Sequence, residues 1–116
     1  MKQFLWIFFV SSVCFAQTSK EKAKTYLAEK NFIKAQQEML TYLASNADDK
    51  EAIELLGDAY GHQKKWDKAI EQYEKLKDEY PKNANYHYKY GGALGMKALS
   101  TSKLKALTII GDVKSS

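Results

Sequence analysis

The sequence predicts an all-α chain of about three stacked helix–turn–helix units forming an α-α superhelix, and three observations lead there. A shift of 34 residues back lays six positions of the segment Leu56–Leu76 over residues of matching size, and a shift forward matches part of it. Between the matched positions, apolar residues recur at helical spacing, not in the alternation of a half-buried strand. The first two units open on a hydroxyl or carboxylate side chain followed by Glu after a further three residues, the box that satisfies free amides at a helix start.

The shift is detailed enough to set unit boundaries. Moving back by 34, Gly57 falls on Ala23, Tyr60 on Tyr26, Trp66 on Phe32, Ala69 on Ala35, Tyr73 on Met39 and Leu76 on Tyr42. Moving forward, Leu56 and Gly57 become Tyr90 and Gly91, Tyr60 becomes Leu94, Tyr73 becomes Leu107 and Leu76 becomes Ile110, but Trp66 meets Ser100 and Ala69 meets Lys103. The units therefore span about 17–49, 50–83 and 84–116, the last degenerate or truncated in its second helix.

Each helix has its own signals. Thr18-Ser19-Lys20-Glu21 caps a first helix that runs to about Glu29. Its partner starts near Phe32, carries Ala35, Met39, Leu40 and Leu43 at helical spacing, and ends at Asn46-Ala47-Asp48. Asp48-Asp49-Lys50-Glu51 repeats the box for a third helix with Ile53, Leu56 and Tyr60 on one face. Gly57 and Ala69 are small where this helix crosses the next, and Tyr60, Trp66 and Tyr73 fill the space around them. Tyr80-Pro81 closes the unit, since a residue before proline is pushed out of helical geometry.

The third unit starts at Asn83 or Asn85, both able to cap it, and its first helix holds Gly91, Gly92 and Gly95. Each glycine costs about 1 kcal/mol against alanine, a cost tolerated where the helix lies close against a neighbour. Ser100, Thr101 and Ser102 are expected to cap a last helix whose apolar face is Leu104, Leu107, Ile110 and Ile109, up to Gly111-Asp112. Repeat arrays end in a polar capping helix; its absence after Ser116 leads us to expect either a piece of a longer protein or a partner at this end.

Residues 1–16 read as a secretory leader: Lys2, an apolar run from Phe4 to Val10, and small residues at Cys14 and Ala16 before the polar turn at Gln17. The run is shorter than the roughly 20 residues of a membrane span. Ser11-Ser12-Val13 ahead of Cys14 departs from a lipoprotein signal. Cleavage after Ala16 removes the single cysteine and, with Lys2, takes the net charge from +4 to +3. No disulfide, thiol chemistry or zinc site is then expected, nor any cofactor. The lysines are scattered and the chain has no arginine, the residue suited to bidentate phosphate or guanine contacts, which argues against nucleic acid.

Catalytic signals are absent by type. Asp58 and His62, four apart on one helix, have the spacing for a metal or a base with its orienting carboxylate, but no third ligand or nucleophile accompanies them. His87 matches Ile53 by period and is expected to be a partly buried structural residue. Gly91-Gly92-x-x-Gly95 lies in a helix and follows no strand, unlike a phosphate loop.

The set Leu56, Gly57, Tyr60, Trp66, Ala69, Tyr73, Leu76 and Pro81 resembles the tetratricopeptide repeat (TPR) family in order and spacing, with Ala23, Tyr26, Phe32, Ala35 and Gly91 as its echoes in the neighbouring units. The resemblance implies a TPR-like superhelix whose concave face, lined by the first helix of each unit, takes extended or helical segments of partner proteins. Carried over by period, the groove positions are Lys20, Lys24, Leu27 and Ala28, then Glu51, Glu54, Asp58 and His62, then Asn85, Tyr88, Gly92 and Met96. That zoning is basic, acidic, then aromatic. Lys24 and Leu55 stand where the family's carboxylate clamp has asparagines, so a free C-terminal carboxylate is a poor ligand.

The chain also resembles small TPR proteins exported by Gram-negative bacteria. The expectation is a non-catalytic scaffold of the periplasm or cell envelope, or a secreted one, binding a protein or peptide and without a membrane span once the leader is gone. Two alternatives stay open at this point: repeats that serve only self-association, and an accessory domain of a longer, enzymatic protein.

Overall fold

The structure, a computed structural model, describes residues 17–115, with side chains to residue 107. The expected leader at 1–16, and the side chains of Ile109 and Ile110, lie outside the described residues. Among the described residues five helices follow one another: α1 (Ser19–Ala28), α2 (Phe32–Ser45), α3 (Lys50–His62), α4 (Trp66–Glu79) and α5 (Ala84–Ser115). Consecutive helices pack together and α1 also reaches α3, so the two hairpins stack as repeats do.

The starts of the helices follow the sequence closely. Thr18 accepts a hydrogen bond from the Glu21 amide at 3.1 Å, and Asn83 accepts one from Tyr86 at 3.2 Å. In the second unit the cap is Asp49, which accepts from Ala52 at 3.2 Å, one residue later than the box predicted from Asp48. The turns inside both hairpins use the same device. Lys30 and Lys64, 34 apart, have φ of 63° and 62°, and the next amides reach back five residues, Asn31 to Tyr26 at 2.7 Å and Lys65 to Tyr60 at 3.0 Å. A left-handed residue after the helix with such a bond is how a helix satisfies its last carbonyls.

The core is the predicted one in its first two units. Ala23, Ala35, Met39, Leu56, Tyr60, Ala69, Tyr73 and Leu76 are buried, with Gly57 buried among them and Tyr26, Phe32 and Trp66 half-buried at the margins; Pro81 is exposed beyond the end of α4. Leu40, expected on the apolar face of α2, is 44% exposed.

The third unit differs. The break expected at Ser100–Ser102 does not occur, and α5 runs on as one helix of 32 residues. Two local reasons act together. The period places Ala98 where Lys30 and Lys64 take left-handed geometry, and alanine is the strongest helix former. The hydroxyl of Thr101, expected as a cap, donates instead to the carbonyl of Lys97 at 3.0 Å within the helix. Without a second helix folding back, Gly91 does not repeat the role of Gly57. A β-carbon on Gly91, Gly92 or Gly95 would meet nothing within 4 Å, so the close neighbour expected to justify these glycines is absent among the described residues. His87 is exposed, with Nε2 2.6 Å from the Pro81 carbonyl oxygen; Tyr86, one residue earlier, takes the core position.

Candidate protein-binding surface

Ion pairs knit the groove positions across the units. Lys20 of α1 lies 3.0 Å from Asp49 and 3.7 Å from Glu51, and Lys24 lies 3.5 Å from Glu51. Asp49 also accepts from Tyr42 at 2.7 Å. Burial pushes its carboxyl up, but the bonds from Tyr42, Lys20 and the Ala52 amide outweigh that and hold it down at about 2. The basic zone on unit one and the start of the acidic zone on unit two therefore neutralise one another.

The rest of the acidic zone is also engaged. Lys89 of α5 lies 2.7 Å from Glu54 and 2.9 Å from each oxygen of Asp58, Asn85 donates to Glu54 at 2.9 Å, and the Tyr73 hydroxyl donates to Asp58 at 2.5 Å. Burial, then the charge of Asp58, raises the Tyr73 phenol well above its ordinary range. Glu54 and Asp58, groove positions of the acidic zone by period, are not a free recognition patch. Only about a quarter of each side chain is exposed, 24% and 23%, and both hold α5 against α3. Lys89 was not singled out from the sequence. Its signal is that it is the one charged side chain between Ala84 and Met96, opposite two acids spaced four apart.

Asp58 and His62 do not act as a pair. His62 stacks on Phe32 of the preceding unit, ring centroids 4.6 Å apart and planes 9° from parallel, and no cluster among the described residues could hold a metal ion. What the groove offers is shape and apolar surface. A cleft of about 750 Å³ opens between the C-terminal half of α3 and the first half of α5. His62, Tyr88, Gly92 and Met96, all groove positions by period, line it together with Asp58 and Trp66. Tyr88 is 79% exposed and Met96 42%, while the carboxylate of Asp58 is already taken.

Paired helices stacked in this register around a concave cleft define an α-solenoid of the protein-binding kind. The family model for the tetratricopeptide repeat matches residues 51–83, so the second helix pair is a tetratricopeptide repeat. Repeats of this kind stack into extended concave surfaces that bind other proteins. No curated protein and no solved structure matches the chain.

Proposed function

We propose that the chain is a non-catalytic scaffold that holds a segment of another protein in the cleft between α3 and α5. The observation that supports this most is the cleft itself, open, mainly apolar and bordered by the exposed side chains of Tyr88 and Met96. Its charges are internally paired, so recognition rests on side chains inserted among His62, Trp66, Tyr88 and Met96, with the ion pairs as a fixed rim. The proposal includes export to the periplasm or cell envelope, supported by the charge, apolar run and small residues of positions 1–16. No helix among the described residues is long and apolar enough to cross a membrane.

Tyr88→Ser with Met96→Ser tests the reading. Both side chains are exposed, so the helical circular dichroism and unfolding midpoint should be retained while proteins captured from an envelope extract are lost. Retention of the same proteins by the double variant would place binding elsewhere.

A further inference from the structure

A second built surface lies at the start of α4. The α5 residues that pack on α4 follow a three–four spacing: Tyr86 and Ala93 are buried, Tyr90 sits beneath Lys77 with the ammonium 4.8 Å from the ring centroid, and Lys97 pairs with Asp67 at 2.6 Å. α4 begins at Trp66, but α5 continues past it. The same ridge runs on through Ser100, Leu104 and Leu107, and Leu107 is 65% exposed. At the step where α4 begins, a notch of about 440 Å³ opens between the turn at Lys64–Lys68 and the ridge of α5, with Trp66 and Leu104 in its walls.

The charge around this step is mainly positive. Lys64, Lys65, Lys68 and Lys97 border the notch, and Lys103 and Lys105 follow on α5, which has no Asp or Glu between residues 84 and 107. The carboxylate in the notch wall, Asp67, is already paired with Lys97. A helix-spaced apolar ridge flanked by cations fits a helix with an apolar stripe and acidic flanks, lying along α5 as α4 does further down.

We propose that the notch and the overhanging ridge of α5 dock an acidic amphipathic helix of another protein, at a site whose lining shares only Trp66 with the α3–α5 cleft. A second copy of this chain docked through the same ridge is the poorer occupant, since it would bring lysines to lysines. A bilayer surface would reach the rim cations and leave the recessed notch unfilled.

The test uses protein expressed from all 116 codons and a labelled 16-residue helical peptide with leucines at i, i+3, i+4 and i+7 and glutamates on its flanks. Its controls are the same peptide with lysine for glutamate and vesicles of anionic phospholipid. Trp66 borders both the notch and the cleft, so its emission reports binding and the variants assign it to one or the other. The acidic peptide should bind and shift that emission, the lysine peptide should not bind, and Lys64→Glu with Lys103→Glu should weaken binding roughly tenfold, more at low salt. Tyr88→Ser with Met96→Ser should bind the peptide unchanged. Four results would overturn the proposal: no binding of the acidic peptide, equal binding by the charge-reversed variant, vesicle binding without peptide binding, or a concentration-dependent dimer in sedimentation that the charge reversal strengthens.

Discussion

A β-carbon placed on Gly57 would lie 2.5 Å from Cε1 of Tyr73, closer than two carbons can come, so α3 and α4 touch through the one residue that lacks that atom. The same register on α5 is open space at Gly91. One repeat position is thus a tight crossing in the second unit and an exposed helix surface in the third.

Glycine replacements should accordingly change sign between the units. Gly57→Ala should destabilise by about 1–3 kcal/mol, as an added carbon forces the Tyr73 ring aside. Gly91→Ala or Gly95→Ala should stabilise by up to about 1 kcal/mol each, because nothing opposes the methyl and helix propensity improves. Urea unfolding of the three variants checks both directions; a destabilising Gly91→Ala would mean that this face is covered.

The contrast explains what was legible in the sequence. Hairpins one and two were readable because their small, large and capping residues repeat together: Ala23 with Gly57, Phe32 with Trp66, Ala35 with Ala69. The third unit preserved only half the set. Tyr90–Gly91 and Leu107 matched, but a fold-back also needs a residue willing to turn at position 98 and an aromatic at position 100, and Ala98 and Ser100 supply neither. At the candidate site, periodicity located Tyr88, Gly92 and Met96 on the cleft. It did not disclose that Glu54 and Asp58 were neutralised, because Lys89 lies 31 residues beyond Asp58 and pairs with it only once α5 is docked.

The turn residues offer an independent check on backbone geometry. Lys30 occupies left-handed space at φ 63°, where a side chain costs about 1–2 kcal/mol relative to glycine. Lys30→Gly should raise stability, by somewhat less than that because the unfolded chain also gains freedom. Lys30→Val should lower it, since branching worsens the same contact. Thermal melts that rank valine above glycine would contradict the turn as described.

Acid should loosen the joint between units one and two. The carboxyl of Asp49 is held at about 2, below its unfolded value near 4, so its contribution is present above pH 4 and is lost as pH falls through 2. Asp49→Asn should reduce stability at neutral pH, by losing the pairing with Lys20, and should flatten the acid limb of the stability profile between about pH 4 and 2. A limb unchanged in the variant would assign the acid sensitivity to other groups.

Lys89 is expected to be a docking residue for α5. Lys89→Met keeps the aliphatic stem but leaves Glu54 and Asp58 facing each other without a cation, and should destabilise by about 1–3 kcal/mol. The replacement Asp58→Lys should be worse than a surface substitution, because it also strips the acceptor from the Tyr73 hydroxyl. Lys75→Ala, exposed on α4, should stay within about 0.5 kcal/mol. Hydrogen exchange should show the loss in α5 first.

A partner segment held in the α3–α5 cleft can be trapped by site-specific photocrosslinking in the organism that encodes the chain. A benzophenone amino acid replacing Tyr88, 79% exposed at the cleft, should yield a discrete adduct with another protein. The same group at the exposed Lys75 of α4 should yield none. Adducts from position 75 alone, or none from position 88 while the chain is folded and abundant, would contradict the account.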